Sequence, residues 1–86
     1  MGLVAITIRI LPDGPEVDLD RLAQAVRRAL GANLKKLDQQ PVAFGLVALV
    51  ATVVVEDASG GSEALEEKLA ALPGVSSAET TGLSLV

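Results

Sequence analysis

The chain has 86 residues, half of them hydrophobic, with no cysteine and no histidine. Their absence excludes a disulfide framework, a thiolate metal site and histidine-based acid–base catalysis. A net charge of −4 excludes a surface built to neutralise phosphates, so no direct nucleic-acid partner is expected.

Residues 1–86 are expected to form one domain, burying about 60–65% of the surface the unfolded chain would expose. The N-terminus lacks a basic region followed by a hydrophobic core and a small-residue cleavage site. No apolar stretch approaches the ~18–20 residues of a membrane span. A cytoplasmic location away from membranes is the resulting expectation.

Leu3 to Leu11 alternates, with Val4, Ile6, Ile8 and Ile10 on one face and Leu3, Ala5, Thr7 and Arg9 on the other. This predicts a first strand. Pro12-Asp13-Gly14-Pro15 ends it, because neither proline can donate to a sheet ladder and Gly14 is free to take positive φ. Asp18 is placed to cap a helix, with Val17 and Leu22 as the apolar pair that staples its start. Leu19, Leu22, Ala23, Val26 and Leu30 recur at helical spacing up to Gly31, which supplies the stop. Arg27 and Arg28 suit the negative end of that helix dipole.

Asn33 to Gln40 reads as an edge strand, where Lys35 and Lys36 discourage pairing with another chain. A turn follows over Gln40 to Gly45 and carries Phe44, the chain's one aromatic residue. Two roles are open to Phe44: covering the end of the sheet, or anchoring a partner protein. Leu46 to Val55 is the longest apolar run and closes on Glu56 and Asp57. An unbroken apolar run also suits a helix, but five valines and flanking glycines favour a strand buried on both faces.

Ala58 to Ser62 breaks the chain before a second helix with Leu65, Leu69 and Leu72 on one stripe and Glu63, Glu66 and Glu67 early in it. Pro73-Gly74 ends that helix. Val75 to Val86 completes the chain as a more polar strand, whose small residues suggest an edge.

This succession predicts an α+β, ferredoxin-like βαββαβ fold, with two helices on one face of a four-stranded antiparallel sheet. Right-handed crossovers give the spatial order 4-1-3-2, with the two most apolar strands central. Both faces of strand three are apolar, so the helix-free face is expected to carry an apolar patch. It supports weak self-association or a partner, or else is shielded by the termini.

Chemistry-bearing constellations are sparse. Asp18 with Asp20, Glu56 with Asp57, and Glu63 with Glu66 and Glu67 have ordinary roles as a cap, a strand exit and a solvated helix turn. Gly60-Gly61 before a helix offers backbone N–H groups to an anion, but the phosphate-loop spacing and its lysine are missing. The sheet lacks the exposed aromatics of an RNA-recognition module. Neither a catalytic residue, a metal nor a cofactor is expected, and the chain is not read as an enzyme.

Pro41-Val42-Ala43-Phe44-Gly45-Leu46, the strand ending Val53-Val54-Val55-Glu56-Asp57, the Gly60-Gly61-Ser62 helix start and Leu65-Glu66-Glu67 together resemble the translation elongation factor 1-beta family. The strand leading through Leu11-Pro12-Asp13 to Val17-Asp18-Leu19 looks like its short archaeal type. The resemblance covers essentially the whole chain. It implies a ferredoxin-like guanine nucleotide exchange domain acting on the GTPase elongation factor 1-alpha, in its GDP-bound or nucleotide-free form, during translation elongation.

In that family the turn aromatic contacts the GTPase, a role that falls here on Phe44, flanked by Gly45 and Leu46. A basic residue near the family's C-terminus reaches the phosphates and magnesium. Here Leu85 stands in its place and no basic residue follows Lys68. The corresponding segment, Leu83, Ser84, Leu85 and Val86, would then act by shape or through its carboxylate. The alternative is an ACT-like regulatory or dimerisation module, which shares this order of elements and takes small ligands near the first strand-to-helix loop, here Pro12 to Pro15.

Overall fold

The computed structural model describes residues 2–42, 45–56 and 61–85. Its elements are β1 (Leu3–Pro12), α1 (Leu19–Leu30), a 3-10 turn (Gly31–Asn33), β2 (Leu34–Pro41), β3 (Val47–Glu56), α2 (Gly61–Ala70) and β4 (Val75–Leu85). The strands form one sheet in the order β2-β3-β1-β4, with every neighbouring pair antiparallel. This is the expected 4-1-3-2 order read from the other edge, in a ferredoxin-like βαββαβ arrangement.

The alternation in β1 sets the layers. Ile6, Ile8 and Ile10 are almost fully buried, and opposite them on β3 lie Val53, Ala51 and Leu49, buried as deeply. They share one core with Leu22, Val26 and Leu30 of α1 and Leu69 of α2, so both helices cover the same face. Among the described residues no polar or charged side chain is buried. The core thus carries no desolvated charge to offset.

Local chemistry ends the helices. Asp18 Oδ1 accepts from the backbone N–H groups of Asp20 at 3.0 Å and Arg21 at 3.3 Å, satisfying two donors that the first turn of α1 leaves free. At the other end the Gly31 N–H donates to Arg27 O, with φ at 60°. α2 stops at Ala70, short of the stripe expected to include Leu72. The Leu72 N–H reaches back only to Leu69 O, at 3.1 Å, because Pro73 disfavours helical geometry in the residue before it. Leu72 nevertheless packs against the core.

The loop after β1 differs from expectation. Gly14 is not at positive φ; it is buried, and its carbonyl accepts from the Val17 N–H at 3.2 Å. Pro12 belongs to β1, paired with Val75 at the strand's last position, where the missing donor does little harm.

Strand β4 is irregular, a departure from the plain strand expected and hinted at only by Gly82 within it. Ile8 pairs with Thr80 but Thr7 pairs with Gly82, so Thr81 is an extra residue that bulges out of the ladder. A second shift leaves Ser76 extra between Ser77, opposite Leu11, and Val75, opposite Pro12.

Leu69 is the one buried side chain among the described residues of α2, and it fixes that helix to the sheet. Leu69→Ala is expected to lower the unfolding free energy by about 2–5 kcal/mol, measured by urea denaturation.

Candidate partner-binding site

The described residues among those that sequence and resemblance single out lie at opposite ends of the sheet. At one end, Pro41 pairs with Val47 and the Val42 N–H donates to Leu46 O at 2.8 Å, closing the stems of the β2–β3 connection. Gly45 is exposed at φ 75°, a conformation costly for any residue with a Cβ, and Leu46 is half-buried. Phe44, the expected anchor, lies outside the described residues.

At the other end β4 finishes beside the start of β1. Leu83 is opposite Ile6 and Leu85 opposite Val4, so both leucines lie on the helix-covered face of the sheet. Neither is covered: Leu83 is 61% exposed and Leu85 76%. Ser84, opposite Ala5, is exposed on the other face, and Val86 lies outside the described residues. Leu3, also exposed, adds apolar surface at this end that the sequence reading assigned only to a strand face.

The separation follows from register. Val47 marks the turn end of β3, and Val55, opposite Val4 and so level with Leu85, lies eight residues along it. At ~3.3 Å per residue the two ends are about 26 Å apart. A single partner touching both must be large.

Between α2 and β4 lies a contact that the sequence did not announce. The backbone N–H of Thr80, next to the bulge, donates to Glu66 Oε2 at 2.7 Å. Glu66 reads in the sequence as an early-helix acid suited to the dipole. Only the register of β4 shows that it faces a freed backbone donor.

The helix-free face is less apolar than strand three alone suggested. Ala5 and Val54 lie opposite each other, as do Thr7 and Thr52, then Arg9 and Val50. The Arg9 guanidinium pairs with Glu79 at 2.5 Å, and Lys36 with Asp38 at 3.4 Å. Polar groups thus divide the apolar stripe, which shrinks what this face offers a second copy. A shallow depression of about 490 Å³ on it is lined by Arg9, Asp38, Gln39, Gln40, Val50 and Thr81.

The loop that an ACT-like ligand would use is closed on itself. Pro12 and Gly14 are buried, and the Asp13 N–H is spent on Gly74 O at 2.9 Å. Among the described residues no cluster of acidic side chains is arranged to hold a metal ion, and no helix is long and apolar enough to cross a membrane.

With this geometry in view, comparison with known proteins is decisive. The profile of the EF-1 guanine nucleotide exchange domain matches residues 5–86. The chain belongs to that family. Elongation factor 1-beta of Methanothermobacter thermautotrophicus is 48% identical over 83 residues, covering 94% of this chain and 93% of its own. The Methanoculleus marisnigri protein of the same name is 44% identical over 86 residues and the whole of both chains. That of Methanoregula boonei is 41% identical over 85 residues, 99% of each.

The turn end can be tested without a partner. Gly45→Ala is expected to cost about 1–2 kcal/mol of stability, because no described residue crowds the place of a Cβ and its φ opposes one. Gly45→Asn should cost less, and parallel urea titrations of the two variants check the order.

Proposed function

We propose that this chain is a guanine nucleotide exchange factor that promotes release of GDP from elongation factor 1-alpha, so that GTP can replace it during translation elongation. The family match over residues 5–86 carries the reading.

The mechanism is one of linkage. A factor that binds the nucleotide-free GTPase more tightly than the loaded one weakens nucleotide binding by the same ratio. Phe44, Gly45 and Leu46 dock at one end. Leu83, Ser84, Leu85 and Val86 press on the nucleotide site from the other, and the sheet between them holds the two contacts about 26 Å apart. Magnesium on the GTPase bridges the phosphates and braces the switch segments, so moving its surroundings loosens the nucleotide. Residues 83–85 present two uncovered leucines and a serine, so this segment works through apolar shape, with the leucines as the intruding group. A thousandfold acceleration requires about 4 kcal/mol off the dissociation barrier. One desolvated aromatic anchor supplies on the order of 2 kcal/mol of this.

Release of a fluorescent GDP analogue from the cognate elongation factor 1-alpha, chased with excess GDP, tests the reading. Acceleration by orders of magnitude is expected; an unchanged rate with folded protein and a proven cognate GTPase would overturn it. Phe44→Ala should raise the half-saturating concentration about thirtyfold, the equivalent of 2 kcal/mol of docking. Removal of residues 83–86 should instead lower the maximal release rate.

A further inference from the structure

The bulge in β4 decides which face of the sheet displays the terminal leucines. Below it, β4 pairs with β1 so that Ala78 faces Ile10 and Thr80 faces Ile8. Were that register continued without the extra residue, Thr81 would meet Thr7 and Leu83 would meet Ala5, on the helix-free face. With Thr81 bulged, Gly82 meets Thr7, Leu83 meets Ile6 and Leu85 meets Val4. A one-residue slip moves every following side chain to the opposite face.

Two contacts bear on the bulge. Thr81 Oγ1 donates to Thr7 O at 3.4 Å, a long and exposed bond. The Thr80 N–H donates to Glu66 Oε2 at 2.7 Å in a part-buried setting, a charge-assisted bond of the stronger class. Thr80 Oγ1 is itself buried without a partner, so this residue is tethered to α2 through its backbone alone. Glu66 stands one turn from Leu69, whose burial fixes the helix to the sheet. The carboxylate is therefore held by the core and in turn holds the strand.

We propose that Glu66 is a positioning residue for exchange: by accepting the Thr80 N–H it locks the bulged register of β4, and so presents Leu83 and Leu85 on the helix side of the sheet, where the GTPase meets them. The proposal rests on the exchange reading but adds to it a register latch that is part of neither contact surface. Glu66 touches neither nucleotide nor GTPase in this role. Its loss should affect the step that the terminal segment drives and spare docking at the β2–β3 turn.

Register and exchange are measured on the same variants of the full chain. In wild type, cross-strand nuclear Overhauser contacts should join Val4 to Leu85 and Ile6 to Leu83. In Glu66→Ala, contacts joining Ala5 to Leu83 should appear. The maximal rate of analogue release should fall about tenfold, the cost of losing one charge-assisted hydrogen bond, with the half-saturating concentration within about twofold of wild type. Glu66→Gln keeps an oxygen acceptor at the same place and should retain both the register and most of the rate. In protein lacking residues 83–86, Glu66→Ala should have no further effect on release. Wild-type contacts in Glu66→Ala would overturn the latch whatever the exchange data show, and so would a loss expressed only in the half-saturating concentration. Absence of acceleration by the wild type would overturn the exchange reading while leaving the register measurement to judge the latch on its own.

Discussion

Strand β1 is hydrogen-bonded on both sides, to β3 and to β4, and every second residue from Val4 to Ile10 is in the core. Those two demands fix most of what the molecule is. Pairing on both edges makes β1 central, and the depth of Ile6, Ile8 and Ile10 requires a continuous cover, which α1 and α2 supply with Leu22, Val26, Leu30 and Leu69. A slip of β1 by one residue would exchange that isoleucine row for Ala5, Thr7, Arg9 and Leu11. The register is therefore set by burial on a scale that local propensity cannot override.

Much of this fold was legible in the sequence because its signals were periodic or stereochemical. The alternation in β1, the helical spacing from Leu19 to Leu30, the Asp18 cap and the Gly31 stop each rest on a single local rule, and the structure obeys them. Gly14 departs from the positive φ that its turn suggests, since a glycine beside a proline can equally be buried with ordinary φ. Leu72 kept its apolar role but lost its place in α2, since the spacing rule does not see the restriction that Pro73 imposes. The bulge at Thr81 has only a weak signature, Gly82 inside a strand pattern of otherwise small and polar residues, and that does not fix its place. For the candidate site, the turn glycine could be derived from the residues, whereas a role for Leu83 to Val86 came through family resemblance. Two exposed leucines in a polar edge strand are in themselves unremarkable.

The arrangement divides labour between shape and stiffness. A sheet of four strands with β1 and β3 buried in its middle keeps its two ends at a set spacing, so contact at one end carries a geometric demand to the other. An apolar wedge differs from a charged one in what it asks of its surroundings. Under the exchange function proposed above, it gains by excluding water and does not depend on long-range attraction, so its effect would be less sensitive to salt than a lysine's. The polar pairs on the helix-free face, Arg9 with Glu79 and Lys36 with Asp38, leave that face better suited to water than to a second sheet.

The pairing of β1 with β4 also governs when the fold is complete. Val4 and Leu85 face each other across nearly the whole length of the chain. The intervening polypeptide must therefore be in place before β1 can acquire its second neighbour. Contacts of such high sequence separation form slowly, because loop-closure entropy opposes them before they bring any stabilisation. β1, α1, β2, β3 and α2 all precede β4 in the chain, so β4 is the last strand available for pairing. The edge that carries Leu83 and Leu85 is thus the youngest part of the sheet during synthesis.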